Sequence, residues 1–319
     1  MKRKIPLQQP PADGEGRSPW EGIFVVDKPS GFTSNQVLQV LKKASGIKKM
    51  GYLGTLDPLA TGVLPVFIGW TTKIIPFIPD SPKGYQGTMV LGKKTDTQDE
   101  TGKLIFTTDR PLPPWETIEQ VGREFIGIQE QVPPAYSALK YKGKPLYRWA
   151  RQGIHIVKPA RTITIEGLTI RNLQASLIGF EVFCSPGTYI RTLCSDLGDR
   201  LGCGAYLKTL RRIQSGLFTL EQAQPLQAFQ QSSTPEEIEA LKTPMEKLLK
   251  GLPEILVDAS WRDKIKLGCP LKAESGTACT GLIKAGEPVG IKSLQNELWA
   301  IYEWTGTGEK LFKPLRILI

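Results

Sequence analysis

The stretch from Gly51 to Gly69, GYLGTLDPLATGVLPVFIG, constrains the fold of this chain more than any other. It holds one charged residue, Asp57, among glycines and aliphatic side chains. The run VLPVFIG (63–69) has no polar face and reads as a buried strand. The residues before it, up to about Thr61, read as a loop, so the carboxylate stands just ahead of a core element. Pro58 biases Asp57 away from helical dihedrals toward an extended shape. Gly51, Gly54 and Gly62 allow another backbone, such as a ligand's, to come close. Leu53, Leu56, Leu59 and Val63 are expected to dry the site. Burial raises a carboxylate pKa and a nearby cation lowers it. A working anionic Asp57 therefore needs a guanidinium or ammonium from elsewhere in the chain, because only the anion is a nucleophile. Taken alone, an Asp-Pro is more often a simple turn. An aspartyl phosphatase wants a second Asp two residues on, and Leu59 stands there.

The 319 residues are a soft prior for about two domains. GIFVVDK (22–28) reads as a strand. TSNQVLQVLKKASG (33–46) reads as a helix capped by Thr33 or Ser34 and ended by Gly46. GYQGTMVLGK (84–93) reads as a strand followed by the polar turn TDTQDETG, and PPWETIEQVGREF (113–125) as a helix with a proline start. RTITIEGLTIRN and ASLIGFEVFCS read as two strands, with Asn172-Leu173-Gln174 near their turn. TYIRTLCSDLGDRLG (188–202) reads as a helix ended by Gly202. AFQQSSTPE (228–236) is the best linker candidate, with the helix-like EEIEALKTPMEKLLK after it. From Leu252 short β-type runs, TGLIKAG among them, alternate with Gly and Pro turns, which suggests a small all-β domain or barrel.

The sequence carries 41 Lys and Arg against 31 Asp and Glu, a formal charge of +10. Such a surplus fits an anionic partner, most often nucleic acid. Five cysteines, none in C-x-x-C spacing, argue against a disulfide framework or a zinc ribbon and fit a reducing cytoplasm. His155 is the only histidine, which removes His-rich metal sites and leaves proton transfer to carboxylate, Tyr, Lys or Arg. No apolar run approaches the roughly 18 residues of a membrane span. Residues 1–20 are basic without an apolar h-region and read as a flexible tail.

Residues 131–161, QVPPAYSALKYKGKPLYRWARQGIHIVKPAR, contain Lys140, Lys142, Lys144, Arg148, Arg151, Lys158 and Arg161 and no acidic residue. Tyr136, Tyr141, Tyr147 and Trp149 are interleaved. Cations that neutralise phosphates beside rings that stack on bases are what looped or single-stranded RNA needs. Lys42, Lys43, Lys48 and Lys49, and Lys208, Arg211 and Arg212, extend the candidate footprint.

GTLDPLATGVLPV resembles the catalytic motif of tRNA pseudouridine synthases of the TruB type. DKPSGFTS (27–34), KGYQGTMVLG (83–92), CSPGTYIRTLCSDLG (184–198) and LRRIQSG (210–216) resemble further blocks of that family in order, and QVPPAYSALKYKGKPLY resembles its RNA-gripping insertion. The likeness covers about residues 21–250, and the ending LPEILVD…LWAIY…PLRILI resembles the family's PUA-like C-terminal domain. The resemblance implies an α+β fold: a catalytic domain (21–250) with a central mixed, mostly antiparallel sheet, and a PUA-like β-barrel domain (251–319). It implies a cytoplasmic isomerase that converts uridine to pseudouridine at position 55 in the T-loop of tRNA. The partner is the T-arm stem-loop, with no cofactor, metal or membrane, and the expected state is a monomer. Asp57 falls on the family's catalytic aspartate, Tyr85 on the tyrosine that stacks on the target base, and Arg191 on the arginine that pairs with the aspartate. Tyr189 and Leu210 fall on base-pocket positions and Lys28 on the first motif's lysine. Lys140, Lys142, Lys144 and Arg148 are the expected RNA contacts of the insertion. The family's Gly-His-x-Gly is here Gly51-Tyr52-Leu53-Gly54, so Tyr52 stands where a histidine enters the RNA loop, and the grip on that loop is expected to differ. Three readings compete: a non-catalytic tRNA-binding module, a guide-RNA-dependent relative, and an unrelated carboxylate enzyme such as a glycosidase. The glycosidase needs a second carboxylate beside Asp57, which residues 51–69 do not offer.

Overall fold

The computed structural model describes residues 18–79, 81–174, 176–244, 252–272, 278–280, 283–306 and 311–319. Most of the expected tail, the end of the helix-like run (245–250), part of TGLIKAG and the side chain of Cys279 lie outside the described residues. The main body is a ten-stranded mixed sheet. Its strands are β1 (Gly22–Lys28), β2 (Met50–Tyr52), β3 (Thr61–Ile68), β4 (Lys83–Leu91), β5 (Gly127–Gln131), β6 (Arg161–Gln174), β7 (Leu177–Cys184), β8 (Ala205–Ser215), β9 (Phe218–Thr219) and β10 (Gln224–Pro225). The spatial order is β10-β1-β3-β8-β4-β7-β6-β5, with β2 paired to β3 and β9 to β8. Only β1–β10 and β3–β8 run parallel; the other pairings in the sheet are antiparallel.

β3 and most of β1 are apolar because both of their faces are covered. Side chains alternate across a strand, so Phe24, Val26, Leu64 and Val66 enter one core while Ile23, Val25, Val63 and Phe67 enter another. Helices α1 (Ser34–Ser45), α2 (Trp115–Glu124) and α4 (Ile190–Arg200) cover the first face. Helix α1 has a complete capping box, Thr33 with Gln36, and a left-handed Gly46 at its end. The second face meets Leu298, Ile301 and Leu318 of the C-terminal sheet. That sheet has six strands in the order Leu271–Lys272, Leu311–Ile317, Leu298–Trp304, Pro288–Ser293, Glu254–Val257, Ala278–Thr280. It encloses its own core around Val257, Ile291 and Tyr302 and is the small PUA-like β domain of the sequence expectation.

One expectation is corrected, one is met and one strand is new. AFQQSSTPE is not a linker: it forms the end of α5 (Leu226–Gln231) and the start of α6 (Pro235–Ala240). Phe229 of that segment is fully buried, edge-on to Phe24 with ring centroids 5.7 Å apart. Asn172-Leu173-Gln174 ends β6 at its junction with β7, where Gln174 pairs with Leu177, in keeping with the expected place near a turn. Residues 205–215, which sequence patterning leaves without an element, form the longest partner of β4. Lys208, Arg211 and Arg212 hide the alternation, and Arg212 is fully buried.

Candidate active site

The loop between β2 and β3 carries Asp57, and the DKPSGFTS segment clamps it. Ser34 Oγ accepts from the Leu56 amide at 3.0 Å and lies 3.2 Å from the Leu56 carbonyl. The Gly31 amide donates to the Pro58 carbonyl at 2.9 Å. Lys28, fully buried, donates Nζ to the carbonyls of Phe32 (2.6 Å), Pro29 (2.9 Å) and Pro58 (3.4 Å). Burial lowers its pKa to about 8, with Asp57 pulling it up and Arg212 pushing it down. Lys28 does not line the cavity described below; it holds the loop that does.

Strand β8 braces the same loop from the other side. Arg212 lies opposite Tyr85 in the β8–β4 register and opposite Gly62 in the β3–β8 register. It donates Nε to the Val63 carbonyl (2.7 Å) and Nη2 to the Gly54 carbonyl (2.9 Å). Arg212 is therefore a structural strut and no part of an RNA-facing cluster. Arg211, half-buried, forms an ion pair with Asp27 at 2.7 Å. Gly62 has φ +100°, and a Cβ there would stand 2.2 Å from the Arg212 carbonyl oxygen. The close approach that this glycine permits is thus the chain's own strand, not a ligand.

Arg191, on the first turn of α4, reaches the Asp57 loop. Its Nε lies 2.8 Å from Asp57 Oδ2 and 3.7 Å from Asp99 Oδ2. The N–H does not aim along the shorter contact, so the pair is coulombic rather than a directed hydrogen bond. The rest of the guanidinium is fixed: Nη1 donates to the Thr97 carbonyl (3.0 Å) and Nη2 to the Tyr136 carbonyl (2.9 Å). Asp99 is itself held by Thr97 and Thr101, whose hydroxyls donate to Oδ1 at 2.7 and 2.6 Å. Sequence reasoning missed Asp99 by reading TDTQDETG as a polar turn; Thr and Asp at such density in one turn were the available signal.

Asp57, Tyr85, Tyr189, Arg191 and Leu210 line one cavity of about 300 Å³, a size suited to a small polar ligand. Ser137–Leu139 and Arg161 complete part of its wall. Tyr85 is 7% exposed and its phenol is raised above the ordinary value, by burial first, against the pull of Arg212 beside it. The Asp57 side chain keeps 40% of its surface accessible, more open than four drying aliphatics predict. Of those four, only Leu56 lines the cavity; Leu53 and Val63 pack on the opposite face of the sheet, toward the C-terminal domain. Tyr52 pairs with Val66 in β2 and does not line the cavity. Among the described residues no group of three or more His, Cys, Asp or Glu is placed to hold a metal ion.

Lys140, Lys142, Lys144 and Arg148 are exposed on a hairpin and on α3 (Leu146–Ala150), outside the cavity. The rings between them are partly engaged within the chain: Lys142 and Lys158 lie over Tyr141, at 5.5 and 5.4 Å, and Lys144 lies 5.5 Å over Trp149. The Leu146 amide donates to the Leu139 carbonyl, and the Tyr147 amide to Ser137. The insertion is thereby stitched to the cavity wall.

The profile of the TruB family pseudouridylate synthase N-terminal domain matches residues 42–190, and that of the tRNA pseudouridylate synthase B C-terminal domain matches 191–250. A tRNA pseudouridine synthase B of Syntrophotalea carbinolica is 40% identical over 253 residues, 79% of this chain and 82% of that protein. The chain belongs to the TruB family of pseudouridylate synthases. The tRNA pseudouridine synthase B of Photobacterium profundum is 40% identical over 272 residues, covering 81% and 86% of the two chains. Among solved structures, a Cbf5-Nop10-Gar1 complex superposes with a TM-score of 0.71 at 25% identity, covering 100% of this chain and 95% of that one. An H/ACA RNP bound to a substrate RNA gives the same score at 24% identity. The TruB-family C-terminal profile begins at Arg191, inside α4, so it describes β8 and the α5–α6 segment rather than the second sheet.

Proposed function

We propose that this chain isomerises uridine to pseudouridine at position 55 in the T-loop of tRNA, as a cytoplasmic monomer, with Asp57 as the reacting carboxylate. The observation that carries the reading is the Asp57–Arg191 contact at 2.8 Å on the wall of a cavity that Tyr85 also lines. A base inside a folded loop must leave its stack before chemistry. The reaction then breaks the bond from C1′ to N1, turns the base, joins C1′ to C5, moves the C5 proton to solvent and leaves a proton on N1. Arg191, locked by two carbonyls and Asp99, sets its positive charge against the Asp57 carboxylate. Asp57 attacks C1′, attacks C6, or removes a sugar proton to give a glycal; all three routes use the same ionised oxygen. Tyr85 holds the base as a neutral phenol, since burial raises its pKa.

The guide-RNA-dependent reading draws on the fold likeness to the H/ACA and Cbf5 complexes, at 24–25% identity. Relatives named tRNA pseudouridine synthase B stand at about 40%, and they support the stand-alone reading. Tritium release from an unmodified T-arm stem-loop carrying 5-tritiated uridine separates the two. With the purified chain and no other RNA, near-stoichiometric release is expected, and it is lost when uridine 55 is replaced by cytidine. Absence of release from the uridine stem-loop contradicts the proposal.

A further inference from the structure

Besides Arg191 Nε, which faces the Asp57 carboxylate, three buried polar atoms on cavity-lining residues have no hydrogen-bond partner: Nε and Nη2 of Arg161 and Oγ of Ser137. Buried polar groups are ordinarily paired, and leaving one without a partner is costly. Here they belong to residues that line one cavity, and two of them share one edge of one guanidinium. In a guanidinium the Nε–H and one Nη2–H point the same way, as a two-pronged fork. A fork is satisfied by two oxygens on one centre, as in a phosphate or carboxylate; a lone uracil carbonyl fills only one prong. The fork is also held in place. The Arg161 guanidinium lies 4.7 Å from the Tyr189 ring centroid, and the side-chain amide of buried Gln131 fixes the Tyr189 backbone in turn, Oε1 accepting from its N–H at 2.8 Å and Nε2 donating to its carbonyl at 3.1 Å. A Cβ at Gly187 would stand 3.3 Å from Arg161 Nη1, at a residue with φ +86°, so the loop beside the fork leaves little room for a side chain.

We propose that the Nε/Nη2 edge of Arg161, with the Ser137 hydroxyl, seats a phosphodiester that flanks the nucleotide turned into the cavity. This rests on the reading that an RNA nucleotide enters the cavity, and it adds how that nucleotide's backbone is registered. With the phosphate seated on the Tyr189 side, the sugar is tethered beside Asp57 and the base lies toward Tyr85. Arg161 is then a binding residue of the cavity itself, distinct from the exposed lysines of the hairpin. It carries the phosphate by a geometric match, whereas those lysines act as mobile charges.

The test is kcat/KM for tritium release on T-arm stem-loops in which one phosphate, 5′ or 3′ to the target uridine, is a neutral methylphosphonate. For the parent chain one of the two substitutions is expected to lower kcat/KM about tenfold or more. Arg161→Gln lowers it comparably on the intact stem-loop and loses less than about twofold further on the neutralised one. Arg161→Lys, which keeps the charge but not the fork, falls between. Ser137→Ala, a milder change, shows a smaller coupling to the same phosphate. Additive losses at both phosphates, with the variants folded by circular dichroism, overturn the proposal. So does coupling of Arg161 to 2-thio or 4-thio substitution of the base, which would assign the fork to a carbonyl. Absence of release by the parent chain on the intact RNA contradicts the functional reading instead, so the two failures are distinct.

Discussion

At Lys28 an ammonium is buried among three carbonyl oxygens. One of these belongs to Pro58, the neighbour of Asp57. Its folded pKa of about 8 lies below the ordinary 10.5. Between those values the unfolded chain binds the proton that the folded chain has released, so stability rises with pH across the window. Lys28→Met removes this titration and strands the carbonyls. The variant is expected to lose about 2–3 kcal/mol at pH 7. The gap to the parent should widen from pH 8 toward pH 10, by about 1.4 kcal/mol per unit at most. Urea unfolding of both proteins at pH 7 and pH 10 reads this; parallel curves at the two pH values contradict it. Asp57 stood out from its own stretch, and the family resemblance singled out Tyr85 and Arg191; all three lie on the cavity wall. Arg212 was misread as part of an RNA footprint, and the burial of Lys28 went unread, because their partners are backbone carbonyls, which no residue letter records.

The α5–α6 segment shows why elements are harder to read than motifs. AFQQSSTPE looks like solvent because short helices need few apolar anchors, and here Leu226, Phe229 and Ile238 supply them. The Thr234 capping box starts α6, and the Thr243 amide then donates to the Ile23 carbonyl at 2.8 Å, tying the segment to β1. If the segment is structural, Phe229→Ala costs about 3–5 kcal/mol and lowers the melting temperature by several degrees. A true linker would show no change. Strand β8 was invisible for a related reason. Its charged residues disrupt the alternation, yet Arg212 is buried because Gly54 and Val63 offer it carbonyls. By contrast β1, β3, α1 and α4 were legible, since continuous apolar runs and cap residues are local signals.

In the whole molecule, the basic insertion (131–161), the cavity and the main sheet are connected parts. Tyr136 gives its carbonyl to Arg191, Ser137–Leu139 line the cavity, and the amides of Leu146 and Tyr147 bind back to Leu139 and Ser137. A T-arm gripped by Lys140, Lys142, Lys144 and Arg148 would therefore bear on the same wall that positions the Asp57–Arg191 pair. The change of texture after Leu252 made the second sheet legible. Its packing on Ile23, Val25 and Phe67 was not, because a strand buried on both faces does not say what covers each. The central claim is that one ionised oxygen, on Asp57, performs the isomerisation. Its most direct measurement is single-turnover tritium release by Asp57→Asn on the T-arm stem-loop, alongside RNA affinity by filter binding. The account predicts no release above background, with affinity within about threefold of the parent. Release at the parent rate would contradict it.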